Sequence, residues 1–200
     1  MDERHIDIEQ GWHRSRALEV ATLYELAFGH KFQVAIPSQA QRIHLLAESF
    51  NPEYSFVATQ KNKIVGIAGF QTPEGSLTGG ITLKSLFRVL GFWQGIRAAA
   101  ILSLFERQPV SGELIMDGIA VDPACRGAGI GSALLSSVIA FADEDQYLQV
   151  RLDVIDSNPR ARKLYTEKGF VAIKSESFPS LKRLIGFSGS TTMIYHLRGD

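Results

Sequence analysis

From Arg126 to Gly131 the sequence reads Arg-Gly-Ala-Gly-Ile-Gly, between an apolar run and an amphipathic one. Alternating glycines let a backbone turn tightly and aim its N–H groups inward with no Cβ in the way. A helix starting at about Ile130 to Ser132 adds free N–H groups and the positive end of its dipole, and Arg126 adds a charge-assisted contact. The chemistry this suits is pyrophosphate binding, by Arg126, Gly127, Ala128, Gly129, Ile130, Gly131 and Ser132. Two other readings stand beside it. The glycines can make a tight strand-to-helix connection and nothing more, although one glycine suffices for that. The run from Gly127 also begins a dinucleotide-type fingerprint, with Ser132 at the third glycine position and Asp153 about 20 residues on, near where a ribose-binding acid would sit. Against this, the run lies late in the chain, and Asp153 is followed by Val154 and Ile155 inside a strand.

Two carboxylates lie within apolar strands, where their burial needs a reason. Asp117 alternates with Ile119 and Val121 and so should share their face. Asp153 lies in the next strand. Each suits a general base, and each equally suits a structural hydrogen bond. Glu113, at a strand start, reads as solvated. Cys125 is the only cysteine and reads as a tolerated loop residue. The five histidines (His5, His13, His30, His44 and His196) show no metal-ligand spacing, so no metal is expected.

The elements that must hold these groups follow from periodicity. Residues 114–121 form a strand apolar on both faces, hence central, which Asp122-Pro123 ends. A helix then buries Leu134, Leu135, Val138, Ile139, Phe141 and Ala142. A strand over 148–155, a short helix through Tyr165, and strands over 170–174 and 191–197 complete the C-terminal part. Upstream, residues 5–10 form an edge-like strand. Ser15 caps a helix running to about Phe28 on Leu18, Ala21, Leu23, Leu26 and Ala27, which Gly29 breaks. A second helix spans 38–50. Strands over 54–59 and 64–71 meet in a hairpin, and Gly66 and Gly69 in the second allow a close neighbour.

The patterns I-A-V-x-P-x-x-R-G-x-G-I-G (119–131) and L-D-V-x-x-x-N-x-x-A-x-x-L-Y-x-x-x-G-F (152–170) resemble the GNAT superfamily of N-acetyltransferases. The resemblance is dense over 115–173. It implies an α/β (α+β) fold whose central, mostly antiparallel twisted sheet splays at a cofactor cleft. It implies that the Arg126–Ser132 loop cradles the pyrophosphate of acetyl-CoA, a cosubstrate. Ile119, Ala120 and Val121 pair by backbone with the pantetheine arm and polarise the thioester carbonyl. Asn158 and Tyr165 lie on a helix against the cofactor, and Tyr165 is the proton donor to sulfur or a plain packing residue. Asp117, ahead of Asp153, is the base, with a water relay as the alternative. The function implied is acetyl transfer to a primary amine by direct attack through a tetrahedral intermediate. A non-catalytic acetyl-CoA-binding regulatory module and, outside the fold, a dinucleotide-dependent oxidoreductase are the rivals.

At 200 residues the chain suits one domain over 1–200. A formal net charge of +0 advertises no nucleic acid. One cysteine and no apolar signal core suit a reducing, cytoplasmic setting. Residues 72–112 are long for a connection and read as a helical insertion around 81–108, broken near Gly91. It lacks the ~20 uninterrupted apolar residues of a membrane span. It could cap an acceptor pocket with Phe87, Phe92 and Trp93, form a homodimer interface, or add core. Lys84, Arg88 and Arg97 also allow contact with a membrane face. In the GNAT fold, His30, Lys31, Phe32 and Gln33, and the loop 178–187, would border the acceptor. The acceptor reads as a small-molecule or peptide amine with an apolar part.

Overall fold

The computed structural model describes residues 5–103, 109–178 and 187–197. Its strands are β1 (Asp7–Gln10), β2 (Ser55–Gln60), β3 (Lys63–Thr72), β4 (Gly75–Ser76), β5 (Glu113–Val121), β6 (Gln149–Ile155), β7 (Val171–Ser177) and β8 (Gly189–His196). Its longer helices are α1 (Ala17–Phe32), α2 (Gln39–Ser49), α3 (Leu83–Leu90), α4 (Phe92–Leu102), α5 (Ile130–Glu144) and α6 (Pro159–Glu167). The strands form one sheet in the order β1-β2-β3-β5-β6-β8-β7, with β4 beside β3. Every pairing is antiparallel except that of β5 with β6. A doubly wound parallel sheet, which a dinucleotide fold needs, is therefore not what this sequence builds.

β1 is an edge strand, as its alternation predicts. β2 and β3 turn at Lys61 (φ 48°) and Asn62 (φ 61°), the two left-handed positions that a tight hairpin demands and asparagine tolerates. On one face α5 packs Leu134, Leu135, Val138 and Ala142 against Ala68, Met116 and Val150. Gly66 makes that approach possible, since a Cβ there would lie 2.9 Å from both Ile130 and Leu134. On the other face α1 packs Val20, Ala21, Leu23 and Tyr24 against Val57, Ile67 and Ala120. The insertion builds a third cluster, with Leu86, Leu90 and Ala98 against Ala35, Ile36 and Leu45.

Several expectations change at α1. Leu18 and Leu26 are 63% and 62% exposed. The inward stripe is centred on Val20 and Tyr24 instead, whose side chains pack on Val57, Ile67 and Ala120 of the sheet. Arg16 precedes the helix and makes no side-chain cap, while Ser15 sits in a short 3-10 turn capped by His13. Gly29 does not break α1. A side chain there would collide with the Glu25 carboxylate, so the glycine makes room for a buried ion pair. In that pair Arg42 Nη2 donates to Glu25 Oε1 at 2.6 Å, and Arg42 Nη1 donates to the carbonyls of Ile36 (2.7 Å) and Pro37 (2.8 Å). The connection from α1 to α2 is thereby tied down from inside. Arg97 of α4 holds the same segment from outside, donating to the carbonyls of Val34 (3.0 Å) and Ala35 (3.4 Å).

Candidate active site

β5 and β6 pair only at Glu113–Gln149, Leu114–Val150 and Ile115–Arg151. Beyond Ile115 the two strands part, while β5 stays paired with β3 to Val121 and β6 with β8 to Ile155. In a strand paired on one edge, alternate N–H and C=O groups point away from the partner. The far half of β5 therefore offers backbone groups to a wedge-shaped gap, at Ile119, Ala120 and Val121. Their side chains divide between faces: Ala120 is buried toward α1, and Ile119 and Val121 pack on the α5 side.

The glycine loop closes the far end of that gap. Asp122 organises its entry by accepting from Ala124 N–H (3.0 Å) and from Lys63 Nζ on β3 (2.8 Å). The hydrogen bond from Lys63 holds this carboxyl below the usual aspartate range. Gly127 (φ +91°) and Gly129 (φ +81°) take backbone conformations that favour glycine, and a Cβ at either would point into open space. Gly129 precedes α5 without a side-chain cap, so the first-turn N–H groups of Ile130, Gly131 and Ser132 keep their anion-binding character. Ala128 and Arg126 are exposed beside them, while Ile130 anchors the helix start in the core at 2% exposure. A Cβ at Gly131 would lie 3.7–3.9 Å from Leu164, Val121 and Ile119, so the loop, β5 and α6 converge on one point. Cys125 turns away toward Gln60 and packs partly into the core.

Asn158 caps α6, accepting from Ala161 N–H at 3.1 Å. One turn on, Tyr165 is 7% exposed, its ring centroid 5.8 Å from that of Phe170. Burial pushes its phenol up to about 12, so it is a proton carrier throughout the neutral range.

The sequence model of the Acetyltransferase (GNAT) family matches residues 18–170. The chain belongs to the GNAT acetyltransferase family. It is by that membership an acyltransferase enzyme. Solved structures share the fold. An acetyltransferase is 21% identical over 96% of this chain and 100% of its own, with a TM-score of 0.64. An N-acetyltransferase from Staphylococcus aureus Mu50 is 16% identical over 97% and 99%, with a TM-score of 0.65. A putative acetyltransferase from Salmonella typhimurium, solved with its cofactor acetyl-CoA, is 15% identical over 98% and 95%, with a TM-score of 0.62. No curated protein matches the sequence.

In this GNAT chain Asp117 sits differently from its sequence reading, whereas Asp153 lies inside the strand expected. The β3–β5 register slips by one residue between Gly69 and Phe70, so Asp117 is the extra residue of a bulge. The bulge reverses the alternation. Asp117 faces α1, near Gly69 and Tyr24, and not the α5 side with Ile119 and Val121. Gly118 follows at φ +143°, with Phe28 filling the place of its missing side chain. Tyr24, overlooked in the sequence, has its phenol pushed far up, first by complete burial and then by the negative charge of Asp117. Asp153 faces the same side of the sheet from β6. It accepts from Thr192 Oγ1 at 2.5 Å and lies 3.9 Å from Arg151. Glu113 is not solvated: it is 2% exposed, accepts from Gln149 Nε2 at 2.9 Å and lies 3.6 Å from Arg151. This row of acids around one arginine left no periodic signal, because strand pairing alone assembles it.

Of the residues expected at the acceptor side, Phe32 lies within α1, its ring 6.4 Å from that of Tyr24. Gln33 follows the helix end, its N–H bonded to the Gly29 carbonyl. His30 and Lys31 lie in the extended last turn of α1. Residues 179–186 of the last hairpin connection lie outside the described residues, as do 104–108 of the insertion. A cleft of about 550 Å³ lined by Glu53, Tyr54, Gln71 and Glu74 includes no residue of the loop or gap. Among the described residues no group of three or more His, Cys, Asp or Glu could hold a metal.

Proposed function

We propose that the chain transfers the acetyl group of acetyl-CoA to the primary amine of a small molecule or peptide, the amine attacking the thioester carbonyl directly. Acetyl-CoA is here a substrate that is consumed. The observation that carries this is the parting of β5 from β6 after three residue pairs, beside a glycine turn opening a helix. The open space over Gly127 and Gly129 fits a pyrophosphate, which a Cβ at either position would displace.

Each residue then has a task. Arg126 and the N–H groups of Gly127 to Ser132 hold the diphosphate. The unpaired backbone edge of Ile119 to Val121 binds the pantetheine arm and polarises the carbonyl. Asp117 takes the proton released as the C–N bond forms, directly or through water. Tyr165, still protonated at neutral pH, gives its proton to the sulfur as the C–S bond breaks. Asn158 positions α6, and with it Tyr165. Asp153, held by Thr192, orients the acceptor.

Thermal unfolding with acetyl-CoA, coenzyme A or NAD in excess tests the binding half. A ligand at 100 times its Kd adds about 2.7 kcal/mol, which for a chain of this size raises Tm by about 5–11 °C. The reading expects the rise with both coenzymes and none with NAD. No rise with either coenzyme sinks it. Release of free thiol from acetyl-CoA, on adding a panel of amines, tests the transfer half.

A further inference from the structure

The first half of helix α4 turns its large side chains outward, while Ile101 and Leu102 of its last turn pack on the third cluster. Its buried positions are Gly95 and Ala98, while Phe92, Trp93 and Ile96 are 57%, 80% and 43% exposed. A helix that needed only to cover the core would turn its large side chains inward. Here the small residues let α3 and α4 close up, with Phe87 filling the space that a Cβ at Gly95 would take. From the half-buried Phe87 a chain of rings runs outward through Phe92 to Trp93, each centroid 5.3 Å from the next.

The charged residues of α3 and α4 themselves, Lys84, Arg88 and Arg97, have one sign. From Gly75 to Ser103 the sequence holds no Asp or Glu, in a chain whose acids and bases balance. Lys84 and Arg88 lie one turn apart on α3, exposed, with Phe87 between them. Arg88 also lines a cleft with Arg14, so a further cation joins the patch. Glu48 of α2 lies 3.8 Å from Arg88 in the same cleft and offsets part of this charge. Leu83, 56% exposed, adds apolar surface at the start of α3.

We propose that the α3–α4 corner docks on an anionic phospholipid surface, with Phe92, Trp93 and Ile96 entering the interface and Lys84, Arg88 and Arg14 meeting the headgroups. Aromatic rings at headgroup level, rimmed by cations, are the chemistry of an interfacial helix. The occupant follows from the charge. A second copy on a two-fold axis would press this patch against itself, cation to cation. No helix among the described residues is long and apolar enough to cross a membrane, so the contact lies along the surface.

Vesicle co-sedimentation of the full chain tests this, with phosphatidylcholine alone and mixed with phosphatidylglycerol. The chain should partition onto the anionic vesicles only and come off as salt rises. At about 1 kcal/mol per cation near the surface, Lys84→Gln with Arg88→Gln should weaken partitioning about thirtyfold. Acyl-chain-brominated lipid should quench wild-type tryptophan emission more strongly than that of Trp93→Phe, in which the half-buried Trp12, in the cleft beside Arg14 and Arg88, is the one tryptophan left. All three substitutions are at exposed positions, and their unfolding midpoints should stay within a few degrees of wild type. No partitioning onto anionic vesicles, equal partitioning onto neutral ones, or quenching undiminished in Trp93→Phe overturns the proposal. So does a dimer in sedimentation equilibrium that Trp93→Ser dissociates, which would make a second copy the occupant.

Discussion

Replacing Gly129 by alanine separates what the glycine loop does for the fold from what it does for a ligand. Gly129 sits at φ +81° and ψ −2°, left-handed, and a Cβ there would meet nothing within 4 Å. The fold therefore suffers only backbone strain, about 1–2 kcal/mol, or about 2–8 °C in Tm for a chain of this length. A diphosphate in the loop would meet the new methyl group and lose close approach to the N–H groups of the first turn. One charge-assisted contact is worth about 1.5–3 kcal/mol, so the Kd for coenzyme A should rise about 10- to 150-fold. Gly112→Ala is the control. It too has a positive φ, +79°, and its Cβ would lie 2.9 Å from the Leu148 side chain, away from the loop. It should lose at least as much stability and leave coenzyme A binding unchanged. Isothermal titration with coenzyme A, beside thermal unfolding of both variants, reads the two effects. If Gly129→Ala weakened binding no more than Gly112→Ala, the loop would be a connection and the pyrophosphate assignment would fall.

Four further outcomes are expected. Tyr165→Phe should lower kcat by about a hundredfold or more with coenzyme A affinity retained, and an unchanged kcat would reduce Tyr165 to packing. The folded phenol titrates near 12, above its usual value of about 10, so the unfolded chain loses this proton first. Stability should therefore fall by about 1.4 kcal/mol per pH unit between about pH 10 and 12, and equilibrium unfolding at alkaline pH should show Tyr165→Phe spared that share of the loss. Asp117→Asn should cut kcat more than Asp153→Asn does, and the reverse order would move the base to β6. Arg42→Met should destabilise by about 3–5 kcal/mol by stranding the buried Glu25 charge, and a denaturation midpoint within a degree of wild type would contradict the ion pair.

Local patterns made the stretch from β5 to α6 readable: an apolar run, a glycine turn, a helical stripe and a capped second helix each follow from neighbours in sequence. Gly91 as a break, Gly66 as a contact and the positive-φ turn at Lys61-Asn62 were legible for the same reason. What escaped depends on residues far apart in the chain. The Asp117 bulge exists only relative to β3, and one slipped residue moved that carboxylate to the opposite face. Gly29 reads as a helix breaker until Arg42 arrives from the next helix to pair with Glu25. Glu113 looked solvated because Gln149 and Arg151, which bury it, lie one strand away. The exposure of Phe92 and Trp93 on α4 was not legible, because periodicity gives a stripe but not what lies against it.

Mechanically, the sheet is two plates riveted at one end. The first carries β1 to β5 and the second β6, β8 and β7, and the rivet is the three pairs from Glu113–Gln149 to Ile115–Arg151. Helix α5 spans the open seam but bears on β2, β3 and β5 as well as β6, so it belongs more to the first plate. Such a joint concentrates stress where the pairs end. The empty protein should open there first, and the second plate should exchange its amide hydrogens as one unit ahead of the first. A molecule lodged in the seam would work as a strut, slowing that exchange in strands it never touches. Hydrogen exchange followed strand by strand, with and without coenzyme A, would show whether the sheet yields along this line.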